Sequence, residues 1–214
     1  MHNITLLSSF HVELGQCNPE ELYKIIKEIK PEIIFEELSR NLFNMIYAEG
    51  YNPYSLEAIA INKYLKEHHI QHIPVDTLEK QEEDMFGGYN MLLNKSTEYD
   101  KLFKHQLSLI SQHGYLFLNS FSCIELLDRM HIMEENVLLE INDANLLNQY
   151  KLESELQEKR AIVMLENIYD YSKQHQYNNA LFICGAGHRK SIMQKILEYE
   201  KKEKLKLDWT LYGS

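Results

Sequence analysis

The run Ala180-Leu-Phe-Ile-Cys-Gly-Ala-Gly-His188-Arg-Lys-Ser-Ile192 constrains this chain more than any other stretch. An apolar segment breaks at two glycines, a histidine follows, and a helical pattern begins. That order predicts a buried strand, a tight turn and a helix N-terminus with His188 beside it. Near the other end of the sequence, Ile4-Thr-Leu-Leu-Ser-Ser-Phe-His11 has a similar build. Two strand-end histidines so far apart predict a site closed by topology rather than by local spacing.

Between them strands and helices alternate. Asn18-Pro19 reads as a helix start, because asparagine caps free amides and proline fits the first helical position. Leu22, Ile25, Ile26 and Ile29 then form an apolar stripe at helical spacing, and Lys30-Pro31 ends it. Residues Glu32 to Leu38 form a second strand, so strand, helix and strand make a parallel pair with a right-handed crossover. Ser55 is placed to cap a helix carrying Leu56, Ile59, Ala60 and Tyr64. Ile70 to Asp76 is a third strand, whose Pro74 removes a ladder donor and marks an edge or a strand end. Residues Glu158 to Tyr171 carry another apolar stripe, and Lys206 to Tyr212 reads as a last, edge strand. The expected class is α/β, with a mostly parallel central sheet flanked by helices. Residues 1–214 are expected to form a single domain, in which 81–152, without a clear strand, forms a helical insertion or cap.

Size and charge narrow the function classes. A chain of 214 residues supports one sizeable core. Its net charge of −10 and scattered basic residues argue against a nucleic-acid surface. No signal-like or membrane-spanning run is visible. Three well-separated cysteines, Cys17, Cys123 and Cys184, fit reduced thiols. A cytoplasmic protein with no membrane or nucleic-acid partner is the expectation.

In a parallel sheet all strand C-termini share one rim, where sites form. Four strands here end in ligand-capable residues: His11, Glu36-Glu37, Asp76 and His188. Each also has a plainer reading. A strand-end histidine is commonly a surface or capping residue, and Asp76-Thr77 can cap the helix that follows. Strand alternation puts Ile33, Phe35 and Glu37 on one face and Ile34 and Glu36 on the other, so the two glutamates should not act as a pair. His68, His69 and His72 cluster at a helix end, which predicts a solvated turn rather than a metal clip. The Gly185-Ala-Gly turn lacks the third glycine of a dinucleotide fingerprint and the Gly-Lys-Ser of a P-loop. It presents His188 at the rim instead, where the positive end of a helix favours a neutral imidazole, able to act as a base or a ligand.

These residues resemble the TraB/Tiki/erythromycin-esterase-like superfamily. Its two Gly-x-x-His motifs are matched by Gly185-Ala-Gly-His188 and by Ser8-Ser-Phe-His11, with serine in the glycine position of the latter. Lys30-Pro-Glu-Ile-Ile-Phe-Glu-Glu-Leu38 resembles the family strand and puts its glutamate at Glu37. Arg160-Ala-Ile-Val-Met164 resembles its Arg-x-x-x-Met helix, and Val75-Asp76 its acidic strand end. The resemblance covers about 75 residues at the front and 55 at the back.

The resemblance implies a hydrolase with catalytic residues His11, Glu37, Arg160 and His188, and with Glu36, Arg40 and Asp76 at the substrate rim. Two chemistries are open. In one, His11, Glu37 and His188 ligate a divalent metal, manganese or cobalt, which activates water. In the other, a histidine takes the proton from water while Glu37 fixes the imidazole. Arg160 would hold a substrate carboxylate or an oxyanion in either version. Its plainer reading is a surface helix residue paired with Glu37 or Asp76. The alternative for the whole chain is a non-catalytic binding or regulatory module on the same scaffold.

Overall fold

The computed structural model describes residues 2–76 and 86–213. Five strands form one sheet: β1 (His2–Ser9), β2 (Ile33–Glu36), β3 (Gln71–Pro74), β4 (Asn179–Gly185) and β5 (Leu207–Leu211). Every pair is parallel, and the order across the sheet is β3-β2-β4-β1-β5. Eight α-helices accompany it among the described residues: α1 (Pro19–Ile29), α2 (Arg40–Ile46), α3 (Leu56–Glu67), α4 (Tyr89–Lys95), α5 (Thr97–Leu118), α6 (Phe121–Ile141), α7 (Ala144–Gln174) and α8 (Arg189–Lys202). The α/β class is as the alternation of patterns predicts. β3 and β5 are the two edges, which suits Pro74 in β3.

Two apolar cores sandwich the sheet. Leu7, Ile34, Leu181 and Ile183 pack toward α1, α3 and the middle helices. Ile4, Leu6, Ile33, Phe35 and Phe182 pack toward α7 and α8. This alternation is the period of a strand buried on both faces. The chain leaves β1 through α1, on one face, and leaves β4 through α8, on the other. β1 and β4 are neighbours, so their connections diverge at the carboxyl end and open a crevice there.

Local signals set the helix ends. Asn18 accepts from the Glu21 amide with Pro19 at the first position, and Lys30 closes α1 in the left-handed region. Ser55 accepts from the Ala58 amide and starts α3. The middle of the chain is helical as expected, although residues 81–85 of the expected insertion and Thr77 lie outside the described residues. α7 runs unbroken for 31 residues, across position 152. No helix among the described residues is long and apolar enough to cross a membrane. The three cysteines are free and buried.

α5 braces the loop after β1. α5 departs from helical geometry at Gly114, where φ is +50°. A Cβ there would stand 2.6 Å from the Gln16 carbonyl oxygen, so glycine permits the contact. The Gln16 amide in turn donates to the Ser111 carbonyl at 2.8 Å. At the end of α5, buried Asn119 accepts from the Ser8 amide at 2.7 Å and donates to the Ser8 carbonyl at 3.0 Å. β5 pairs with β1 only as far as Leu6, so Asn119 satisfies backbone groups that the ladder leaves open.

Candidate functional site

His11 follows β1 in the left-handed region, with φ of 66°. Its Nδ1 lies 3.0 Å from Glu57 Oε1, and its backbone amide donates to the same oxygen at 3.1 Å. The Ser9 hydroxyl donates there too. Glu57 stands in the first turn of α3, is buried, and was not signalled by the sequence, where it reads as an ordinary N-terminal carboxylate favoured by the helix dipole. With Nδ1–H held by a carboxylate, the His11 lone pair is on Nε2. That nitrogen sits against Gly185: a Cβ built there would be 2.6 Å from it and 3.5 Å from Glu37 Oε2.

Glu37, just past β2, is held from three sides. Its Oε2 accepts from the Gly185 amide at 2.6 Å. Its Oε1 accepts from Arg160 Nη2 at 2.6 Å and lies 3.2 Å from His188 Nε2. Arg160, on α7, also donates through Nε to Asp76 at 2.8 Å and through Nη1 to Gln157 at 2.8 Å, and Nη1 lies 3.3 Å from His188 Nε2. The Glu37, Asp76, Arg160 and His188 side chains are all buried; Arg160 is only 6% exposed. Its plainer reading as a surface residue is therefore corrected in location, though both of its anticipated partners are present.

The expected residues divide. A pocket of about 180 Å³ is bounded by His11, Glu36, Glu37 and Glu57, with apolar walls that include Leu42, Ile46, Tyr54 and Ile183. Arg160, Asp76 and His188 do not line it; they stand behind Glu37. Glu36 faces away from Arg160, as alternation requires, and accepts from Tyr47 at 2.9 Å, with His72 Nε2 at 2.8 Å. His72 is thus buried in a network and packed between Phe43 and Tyr47, not part of a solvated turn. Arg40 is exposed at the start of α2 and does not line the pocket. Ser8, in the place of the family glycine, is accommodated: it is fully buried, with its hydroxyl 3.4 Å from Arg189 Nη1. Arg189 itself is buried and anchored on Asn119 and the Tyr212 carbonyl, which the helix-start pattern did not reveal.

The metal arrangement implied by the resemblance does not fit these residues as they are placed. Both Glu37 oxygens already accept from N–H donors, one of them a guanidinium that would repel a divalent ion. Among the described residues, no three His, Cys, Asp or Glu side chains converge in ligating geometry.

Burial alone would raise the Glu37 carboxyl pKa. Hydrogen bonding and charge from His188, with the charges of His11 and Arg160, outweigh it and hold the group below the usual carboxylate range. Burial of Glu57 is likewise outweighed, by the hydrogen bond and charge of His11 and by Ser9. A carboxyl with a lowered folded-state pKa stabilises the fold above its unfolded value, about 4.3, and loses that contribution as pH falls through the folded value. The melting temperature is therefore expected to drop below about pH 4.3, and the Glu37→Gln protein should show a shallower acid slope in thermal melts.

Gly185→Ala should separate geometry from stability. The added methyl meets a half-exposed imidazole that can swing aside, so the fold should survive. In a reaction that uses His11 as its base, the displaced imidazole should cost about 10²-fold in turnover, since a misplacement of about 1 Å carries that penalty. Parallel melting and rate measurements check this.

No family model matches the chain, and neither curated proteins nor solved structures provide a match.

Proposed function

We propose that this protein is a hydrolase of the TraB/Tiki/erythromycin-esterase-like type, with water activated by His11 in a metal-free site. The observation that carries the reading is His11 held by buried Glu57 in the lining of a pocket, at the divergence of β1 and β4. His11 Nε2 takes a proton from water as the water oxygen bonds to an acyl carbon. The bond from that carbon to the leaving oxygen or nitrogen then breaks, and the proton passes to the leaving group. Glu37 borders the same space, fixed by Gly185, Arg160 and His188. Arg160 is a positioning residue in this scheme, because its N–H groups are committed to Asp76, Glu37 and Gln157. The substrate is a small molecule or a peptide, and the setting is cytoplasmic.

An ester assay tests the reading. Wild-type protein dialysed against EDTA should hydrolyse p-nitrophenyl butyrate, and added manganese should not change the rate. Activity that appears only with manganese would place the chemistry in the metal version; no turnover of any short ester or peptide amide would favour the non-catalytic module.

A further inference from the structure

The pocket also carries information on what it accepts. Its walls include three carboxylates, and among the described residues no lysine or arginine lines it. Behind them Arg160 pairs with Glu37. Among the described residues, Glu36 and Glu57 have only hydroxyl, backbone and imidazole donors. The rim therefore holds excess negative charge whenever its histidines are neutral.

Each of these two glutamates also binds the protein through one oxygen. Glu57 gathers Ser9 and both His11 contacts on Oε1, and Glu36 takes Tyr47 and His72 on Oε2. Their other oxygens receive no hydrogen bond from another described residue. The anion that the α3 N-terminus favours is already supplied by Glu57. An ammonium group, with three donors and no acceptor, complements two such oxygens; a carboxylate does not. Apart from His11, Ser55 and Tyr54, the rest of the lining is hydrocarbon, from Leu38, Leu42, Ile46 and Ile183. Its size, about 180 Å³, suits one compact apolar group, since a cavity of about 150 Å³ can hold a benzene ring.

Building on the hydrolase reading, we infer that the substrate is an acyl compound with an ammonium group beside a compact apolar group, an α-aminoacyl ester or amide in the simplest case. The ammonium sits against Glu36 and Glu57, the apolar group against Leu42, Ile46 and Ile183, and the acyl carbon near His11. This revises the role expected of Arg160, which is not placed to hold a substrate carboxylate.

Calorimetric titration of the wild-type protein with benzylamine, benzyl alcohol and benzoate, in EDTA, varies charge on one ring. Benzylamine should bind at least about tenfold more tightly than benzyl alcohol, as expected for a charge-assisted hydrogen bond, and benzoate should not bind. Glu36→Gln and Glu57→Gln should each weaken benzylamine by about tenfold. Benzoate binding as well as benzylamine, or no benzylamine binding at about 10 mM, overturns the inference. So does an amine affinity unchanged in both variants. The hydrolase reading is judged separately by p-nitrophenyl butyrate: turnover of this neutral ester without amine preference overturns the inference alone, and amine binding without any hydrolysis overturns the hydrolase alone.

Discussion

Replacing Arg160 with methionine is expected to destabilise the fold by about 3–5 kcal/mol, the range found when one partner of a buried ion pair is removed. Arg160 draws together the ends of β2 and β3, through Glu37 and Asp76, and the turn after β4, through His188. Without it, two buried carboxylates lose the guanidinium they share. A chain of this kind is stable by about 5–15 kcal/mol in total, so the loss is a large share. Urea unfolding should show a lower midpoint. Adding Glu37→Gln and Asp76→Asn to Arg160→Met should recover part of it, because the penalty arises from unpaired charge. A cost below about 1 kcal/mol, the worth of a surface pair, would mean that the cluster is solvated.

His11→Ala carries the largest expected effect on activity, a loss of about 10²–10⁴ in kcat, the usual contribution of a positioned base. The fold should hold. The His11 side chain is 51% exposed, and Glu57 retains the Ser9 hydroxyl and the backbone amide of residue 11. The position has a positive φ, so His11→Gly provides a variant without left-handed strain. Glu57→Gln should also cost about 10² or more, because an amide can present a donor to Nδ1 and turn the imidazole to the wrong tautomer. Steady-state rates on one ester, with circular dichroism to verify folding, check all three variants. Equal loss in His11→Ala and in its glycine counterpart excludes backbone strain as the cause.

Much of the architecture was legible because it depends on local signals. The strands fall where apolar runs meet breakers, Asn18 and Ser55 cap the helices they were expected to cap, and alternation separates Glu36 from Glu37. The residues that complete the site were not legible, since they are defined by partners distant in sequence. Glu57 is 46 residues from His11 and looks like any acidic first-turn residue. His72 looks solvated until Glu36, Tyr47 and Phe43 enclose it. Arg189 and Asn119 meet across 70 residues, and nothing near either marks it as buried. The length of α7 was also hidden. Its apolar stripe is regular only where it covers the sheet, around Ala161, Met164, Leu165 and Ile168, while Leu146, Leu147 and Tyr150 of its first half pack with the other middle helices. The motifs located the rim; topology supplied the second carboxylate.

Chemical rescue tests the central claim, that His11 is the base, most directly. In the His11→Ala protein the vacated space lies beside Gly185, which has no side chain to fill it. Free imidazole added to that protein should restore ester hydrolysis in proportion to its concentration, after subtraction of the reaction that imidazole catalyses alone. Wild-type activity undiminished in His11→Ala, or a lost activity that imidazole cannot restore, would contradict the account.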